Sequence, residues 1–157
     1  MCIKGEKMFA VIRIRGRVGV RREIEDTLKL LRLNRINNCV LVENSPSILG
    51  MLEKAKDFIT WGEINKETLI ELLKKRLRLK GNKRVSEEDL KKVGINSFEE
   101  LADALLSGKK LKEFEIFNPV FKLTPPKHGF KSVKEHWPKG DLGYRKEAIN
   151  ELLKRMI

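Results

Sequence analysis

Five arginines lie close together near the start of the chain, around two glycines. The arginines are Arg13, Arg15, Arg17, Arg21 and Arg22, and the glycines are Gly16 and Gly19. No acidic residue interrupts this window. Guanidinium groups can each donate two hydrogen bonds to a phosphate, and glycines let the backbone approach a ligand closely. The pattern therefore predicts a contact with a polyanion, and the alternative is an ordinary solvated turn.

Two further stretches are rich in basic residues and free of acidic ones. The first runs from Lys74 to Arg84, and its candidate binding residues are Arg76, Arg78, Lys80, Asn82, Lys83 and Arg84. The second runs from Lys122 to Lys134 and enters a loop of about 19 residues without regular periodicity. The candidates of this loop are Lys127, His128, Lys131 and Lys134, together with His136 just after Glu135. Trp137 in this loop could stack on unpaired bases, although a lone tryptophan is more often a core anchor.

The positive charge is spread over the whole chain. Lysine and arginine total 34 against 22 aspartates and glutamates, which gives a net charge of +12. Residues 1–63, 64–113 and 114–157 each have a net charge of +4. Such an excess is typical of proteins with a polyanionic partner. The alternative is a surface adapted to solubility or heat, but stabilising ion-pair networks alternate the two signs and do not segregate them.

Several classes of protein are disfavoured by what the chain contains. Cys2 and Cys39 can form neither a disulfide framework nor a four-ligand metal site, and their number suits a reducing cytoplasm. His128 and His136 have no cysteine near them, so no metal or other cofactor is expected. No apolar stretch approaches the ~20 residues needed to cross a membrane, and residues 1–7 lack the apolar centre of a signal peptide. We therefore expect a cytoplasmic protein with no membrane partner.

An enzymatic alternative rests on the segment Gly16-Arg17-Val18-Gly19-Val20, which superficially resembles the phosphate-binding loop of acylphosphatases. That chemistry needs an asparagine on a neighbouring strand to orient the attacking water. Asn37 and Asn38 precede the predicted second strand and Asn44 follows it, so none of them is well placed. No Ser-His-Asp or P-loop pattern can be assembled either. No catalytic residue is predicted.

Residues 8–63 predict alternating strands and helices. The first strand spans 9–14 and is covered on at least one side, with Phe9, Val11 and Arg13 sharing one face. A helix starts near Val20, with Ile24, Leu28 and Leu31 on its buried stripe and Leu30 and Leu33 beside them. A central strand over 39–42 follows, then a helix capped by Ser45 whose buried face is Ile48, Leu49, Leu52 and Ala55, and then a strand over 58–61.

Residues 64–113 predict a helical extension, and residues 114–157 a terminal segment that packs back on the core. Asn65 can cap one helix, and two short helices begin with the capping boxes Ser86 with Asp89 and Ser97 with Glu100 and end at Gly94 and Gly108. Val120, Phe121 and Leu123 can add an edge strand after Pro119. The long loop then leads to a final helix over 145–157, whose apolar face contains Ile149, Leu152, Leu153 and Met156.

Six further candidates lie between the first helix and the middle of the second. Arg32, Arg35 and Asn37 follow the first helix, where positive charge can also offset the helix dipole. Ser45 and Ser47 lie at a helix start, where free amides can bind phosphate, although capping alone can explain Ser45. Gly50 costs about 1 kcal/mol inside a helix, so either close approach of the polyanionic partner or close packing on a core residue such as Trp61 is expected there.

The order of these motifs resembles that of one family of ribosomal proteins. The core resemblance covers 9–61, in the Arg15-Gly16-Arg17 loop, the helix with Thr27-Leu28, the turn Leu33-Asn34-Arg35-Ile36-Asn37, and Ser45-Pro46 with Gly50-Met51. It continues through the segments 58–62, 72–84, 121–129 and 140–143. The chain is therefore identified as a member of the large-subunit ribosomal proteins known as number thirty in bacteria and archaea and number seven in eukaryotes, in the longer archaeal and eukaryotic form.

This resemblance implies an α+β fold related to the ferredoxin-like folds. Its core is a β-α-β-α-β unit with a mainly antiparallel three-stranded sheet, extended by the helical module and the basic C-terminal loop and helix. The resemblance also implies structural binding of large-subunit ribosomal RNA, beside neighbouring ribosomal proteins, by a monomer without catalysis. A non-ribosomal RNA chaperone or assembly factor remains the alternative. Because Met8-Phe9 resembles the usual start of the archaeal form, residues 1–7 are expected to be a short leader or the product of a misplaced start codon.

Overall fold

The computed structural model describes residues 8–107, 110, 113, 114 and 116–157, so the questions about residues 1–7 and about Gly108 as a helix stop lie outside the described residues. The strands are β1 (Phe9–Arg13), β2 (Asn38–Val42), β3 (Ile59–Glu63), β4 (Val120–Lys122) and β5 (Gly143–Tyr144). The helices are α1 (Arg22–Leu30), α2 (Pro46–Lys54), α3 (Lys66–Arg76), α4 (Glu87–Lys92), α5 (Phe98–Leu106) and α6 (Ile149–Met156), with a 3-10 turn over Lys146–Ala148 before α6.

The five strands form one sheet in the order β4-β2-β1-β3-β5. β1 pairs antiparallel with β2 and β3, and β4 pairs antiparallel with β2, which confirms the mainly antiparallel core and the predicted edge strand. β5 pairs parallel with β3 at the other edge and was not predicted. Two residues, one of them glycine, are too few to show a strand periodicity.

Both faces of the sheet are covered, so β1 is buried along its whole length. On one face Phe9 and Val11 pack with residues of α1 and α2 such as Leu28 and Leu52. On the other face Ala10 and Ile12 pack in a larger cluster, which also contains Leu69, Leu72 and Leu73 of α3, Leu101 and Leu105 of α5, and Leu152, Leu153 and Met156 of α6. The alternation of side chains in a strand thus supplies both cores of a three-layer molecule.

The predicted cap residues accept the expected hydrogen bonds, but the second capping box is only half formed. The Ser97 Oγ accepts from the Glu100 amide at 3.3 Å, whereas the Glu100 carboxylate accepts from the Asn96 amide and not from that of Ser97. The Ser45 Oγ accepts a hydrogen bond from the Ile48 amide at 3.3 Å, and the Asn65 Oδ1 accepts one from the Thr68 amide at 2.8 Å. Ser86 and Asp89 form the complete capping box of α4. These local hydrogen bonds satisfy amides that a helix start leaves unpaired, which is why their positions could be predicted from short sequence patterns.

Three apolar side chains are more exposed than expected. Leu30 is 75% exposed, because α1 ends there and the chain turns at Arg32, which has a φ of 65°. Leu49 is 38% exposed on α2, and Trp137 is 40% exposed in the long loop, so the interpretation of Trp137 as a core anchor is wrong. No helix in the described part of the chain is long and apolar enough to span a membrane.

Candidate nucleic-acid interface

The strand directions bring distant parts of the sequence to one end of the sheet. Arg13 at the end of β1 pairs with Ile59 at the start of β3, and Asn38 at the start of β2 pairs with Lys122 at the end of β4. β5 also starts at this end, because it runs parallel to β3. The segments 14–21, 31–37, 55–58 and 123–142 therefore all leave or enter the sheet here. We call this end the basic end, since half of the predicted binding residues lie in these segments.

The arginine-glycine loop after β1 is held at the basic end by both of its neighbours. The Arg17 Nε donates to the Asn34 carbonyl at 3.1 Å, and the Arg15 guanidinium lies 5.2 Å from the centre of the Phe58 ring. Arg15 and Arg17 remain exposed, as do Arg21 and Arg22 at the start of α1. Gly19 has a φ of 73°, a conformation that glycine adopts without strain. The loop therefore presents guanidinium groups from a defined backbone.

Arg13 does not share the exposure of these neighbours. It is 2% exposed, and its guanidinium donates to the Leu33 carbonyl at 2.7 Å and to the Arg15 carbonyl at 2.8 Å. Burial lowers the pKa of Arg13, and the positive charge of Arg17 lowers it further. Arg13 thus fastens the end of β1 to the arginine-glycine loop and to the turn after α1. Its place in the predicted binding set is corrected to that of a support for the exposed arginines.

The turn between α1 and β2 has two residues in the left-handed conformation, Arg32 and Asn37, each with a φ of 65°. The Asn37 amide donates to the Arg13 carbonyl at 2.8 Å, and the Asn37 carbonyl accepts from the Leu123 amide at 3.1 Å. Asn37 therefore links three segments of the basic end through its backbone. Arg35 is exposed and Arg32 is half-buried, so both can reach a ligand.

A small basic cavity of about 150 Å³ lies beside the edge strand β4. Its lining includes Arg76, Arg78, Asn82, Asn118 and Lys122. The Arg76 Nη1 donates to the Lys122 carbonyl at 3.4 Å, which fixes the end of α3 against β4. Arg78 pairs with Arg84 across a tight turn at Gly81 and Asn82, and Lys80, Lys83 and Arg84 are exposed on that turn. Three cations around one cavity favour an anion such as phosphate.

The long loop over 123–142 is organised by one buried ion pair. The Arg145 Nη2 donates to the Asp141 Oδ1 at 2.8 Å, and the Arg145 Nε donates to the Thr60 Oγ1 at 3.0 Å. The other oxygen of Asp141 accepts from the amides of Lys131 and Ser132. Among the predicted residues of this loop, the described surface exposes Lys127, His128, Lys131, Lys134 and His136. The His136 Nε2 is already hydrogen-bonded to the Asp57 Oδ1 at 2.9 Å.

Three predicted residues lie away from the basic end. Ser45 caps α2, Ser47 and Gly50 lie within it, and α2 begins beyond the opposite end of β2. A Cβ added at Gly50 would meet no atom within 4 Å in the described part of the chain. Close packing on Trp61 or another core residue therefore does not explain this glycine, and an external partner remains as the reason proposed for it.

The structure adds three residues that were not among the predicted binding residues. Asn118 and Lys122 line the basic cavity, and Arg155 donates to the carbonyls of Lys127 at 3.2 Å and Gly129 at 3.3 Å. Lys122 begins an acid-free window, so the sequence contained a signal that this lysine could bind an anion. Arg155 carried none, because it looks like any basic residue in the last turn of a helix.

Comparisons with known proteins agree on one family. The family model described as ribosomal protein L30p/L7e matches residues 9–59. The large ribosomal subunit protein uL30 of Nanoarchaeum equitans is 53% identical over 154 residues, which cover 96% of this chain and 99% of that protein. The proteins of the same name from Thermofilum pendens and Archaeoglobus fulgidus are 52% and 48% identical over 96% and 95% of this chain. Similarity at this level over nearly the full length confirms the resemblance that the sequence motifs indicate, and the chain belongs to the ribosomal protein L30p/L7e family.

Proposed function

We propose that this chain is a structural constituent of the large ribosomal subunit that binds ribosomal RNA in the cytoplasm and catalyses no reaction. The observation that carries this proposal is the convergence at the basic end. Arginines that follow β1, Arg76 at the end of α3 and lysines of the long loop are far apart in sequence and meet there in space. The names of the relatives point to the same assembly.

The proposed interface consists of exposed or half-exposed groups at the basic end and on the turn after α3, which runs along the edge strand from the cavity beside β4. It comprises Arg15, Arg17, Arg32, Arg35, Asn37, Arg76, Arg78, Lys80, Asn82, Lys83, Arg84, Lys122, Lys127, His128, Lys131, Lys134 and Arg155. Arg21 and Arg22 extend it along α1, and the start of α2 with Ser45, Ser47 and Gly50 is a separate contact. Arg13 is buried and holds the exposed arginines in place. His136 links the long loop to the segment 55–58 through its hydrogen bond to Asp57. We also propose that the chain joins the subunit as a single copy, next to other ribosomal proteins.

Salt dependence tests whether phosphates are the main ligands. Each phosphate contact displaces condensed counterions, so the slope of log affinity against log salt concentration steepens by about 0.7 to 0.9 per contact. For a fragment of large-subunit ribosomal RNA, we expect a slope equivalent to several contacts. A slope equivalent to one or two contacts would contradict an interface that extends over the whole basic end.

A matched pair of variants tests the location of the interface. The double variant Arg15→Gln/Arg17→Gln removes two charges at the basic end, and Lys66→Gln/Lys110→Gln removes two charges elsewhere. Lys66 starts α3 and pairs with Asp103, and Lys110 pairs with Glu43 just beyond the end of β2, so both lie at the opposite end of the sheet. The arginine variant should flatten the salt slope by about 2 in total, at roughly 1 per contact. Equal slopes for the two variants would show that only net charge matters.

Co-sedimentation separates a resident protein from an assembly factor. A stoichiometric constituent should stay with mature large subunits through washing at moderate salt, whereas an assembly factor should leave them. Release of the wild-type protein from mature subunits, with retention on precursor particles, would favour the assembly factor.

A further inference from the structure

A second cavity of about 420 Å³ lies between the long loop and α6. Side chains of His128, Phe130, Lys131, Trp137, Glu151 and Arg155 line it. Its volume falls within the range of about 300 to 1,000 Å³ that is usual for small-molecule sites. It differs from the basic cavity beside β4, which is smaller and has no aromatic lining.

The walls of this cavity are held in place by buried contacts. Asp141, whose carboxylate binds Arg145 and the amides of Lys131 and Ser132, is 4% exposed, and Arg145 is anchored on Thr60 of β3. A Cβ at Gly140 would lie 2.1 Å from the Glu135 carbonyl oxygen, so the two arms of the loop touch there. Because these contacts fix the loop backbone on the sheet, the cavity exists before any ligand binds.

The lining combines an aromatic surface with cationic groups. Trp137 is 40% exposed and Phe130 is half-buried, which leaves ring surface accessible from the cavity. The Lys131 Nζ donates to the Pro138 carbonyl at 3.2 Å, so its charge is held at the rim. Arg155 also lines the cavity, and the bonds from its Nη1 to the carbonyls of Lys127 and Gly129 hold its guanidinium, and hence its charge, against the loop.

The acidic groups of the lining do not cancel this charge. Asp141 is neutralised by its contact with Arg145. Glu151 is exposed on α6 and lies one helical turn before Arg155, a spacing at which the two side chains are neighbours. The Lys131 charge then remains to attract an anion, and the ring nitrogens of His128 can take part in hydrogen bonds to it. Aromatic stacking together with phosphate contacts is the usual chemistry for an unpaired nucleotide.

We propose that this cavity receives one unpaired nucleotide of an RNA, with its base stacked on Trp137 and its phosphate bound by Lys131 and Arg155. The inference rests on the proposed RNA-binding function and assigns one cavity to single-stranded RNA. The rest of the basic end then binds phosphates of both paired and unpaired RNA strands.

The test uses the full chain and two probes that differ in strandedness: hexa-adenylate, and a blunt RNA duplex with a similar number of phosphates. Trp137→Leu should weaken binding of hexa-adenylate by about 5- to 150-fold, the range that corresponds to loss of one stacked base. Trp137→Phe keeps a ring and should stay within about threefold of the wild type. Both variants should bind the duplex as the wild type does. Unchanged binding of hexa-adenylate to Trp137→Leu would overturn the proposal.

Tryptophan fluorescence supplies a second readout. Trp61 is 3% exposed in the core, so a ligand in the cavity should quench Trp137 alone. Quenching by hexa-adenylate should therefore be present in the wild type and absent in Trp137→Phe. Persistence of the same quenching in Trp137→Phe would also overturn the proposal. Neither failure would affect the salt slope of the Arg15→Gln/Arg17→Gln variant on ribosomal RNA, so the cavity and the proposed function can fail separately.

Discussion

Replacing Asp141 by asparagine removes a buried charge while keeping the volume of the side chain. The Asp141 and Arg145 side chains are 6% and 4% exposed, and their nearest atoms lie 2.8 Å apart. In Asp141→Asn the guanidinium stays buried without its counterion, and the new amide group faces N–H donors of its own kind at Lys131 and Ser132. The change thus breaks the pair without creating a cavity.

The expected loss is large for a single substitution. Removing one partner of a buried ion pair typically costs 3 to 5 kcal/mol, because the other charge is left uncompensated. A loss of about 4 kcal/mol would lower the melting temperature of a chain of this length by about 8 to 16 °C. Urea unfolding followed by circular dichroism measures the change, provided that the dependence on urea concentration is the same for both proteins.

Asp103→Asn is the matched control. Asp103 and Lys66 also lie 2.8 Å apart, but their side chains are 59% and 51% exposed, so solvent screens the pair and its loss should hardly be measurable. The double variant Asp141→Leu/Arg145→Met should recover part of the stability, since it leaves no buried charge, while the amides of Lys131 and Ser132 still lose their acceptor. If Asp141→Asn lost less than about 1 kcal/mol, or no more than Asp103→Asn, the view that this pair fixes the long loop would be refuted.

Three further predictions concern single sites. Gly50→Ala should raise the free energy of unfolding by about 1 kcal/mol, because a methyl group there meets no described atom within 4 Å, and unchanged RNA affinity in this variant would remove Gly50 from the proposed contacts. Ser45→Ala should lower that free energy by about 1 kcal/mol in urea unfolding, since the Ile48 amide loses its acceptor. Burial raises the pKa of Cys39 to about 12. In a Cys2→Ser background, the thiol should therefore resist thiol reagents at pH 8 until the protein unfolds. Since the folded state holds this proton more tightly than the unfolded state, the unfolding free energy should fall between pH 9 and pH 12 more steeply than in Cys39→Ala.

Features set by neighbours in sequence could be predicted, and features set by distant contacts could not. Ser45, Asn65 and Ser86 cap helices through bonds that span three residues, so short patterns located them. β5 forms because Gly143 meets Thr60, a contact between residues far apart in the chain. The same distance hid the role of Arg145, which looks like a surface residue at a helix start until Asp141 folds back on it.

Arg13 is an intermediate case, because its burial could have been foreseen. Alternation along the first strand places it on the same face as Phe9 and Val11, which is a core face. Arginine is usually a surface residue, so the residue type predicted exposure while the strand alternation predicted burial. The conflict is resolved in large part by the carbonyls of Arg15 and Leu33, which accept from the Nε and Nη1 of Arg13, while the buried Nη2 has no partner among the described residues. An arginine on the inner face of a strand therefore predicts nearby loop carbonyls better than it predicts a ligand.

Helix direction adds a constraint on how the basic end works. The helices α1, α2, α3 and α6 all end near the basic end: α1 leads into the turn with Leu33, α2 leads into the segment with Phe58, and Arg76 of α3 and Met156 of α6 are hydrogen-bonded to Lys122 and Thr124. Each helix carries a partial negative charge of about half a unit at its C-terminus, which opposes phosphate binding. The basic side chains must first offset these dipoles, and only the positive charge that exceeds them attracts RNA. The same groups therefore stabilise the free protein and bind the ligand, so neutralising them should weaken both properties together, whereas Trp137 should affect binding alone.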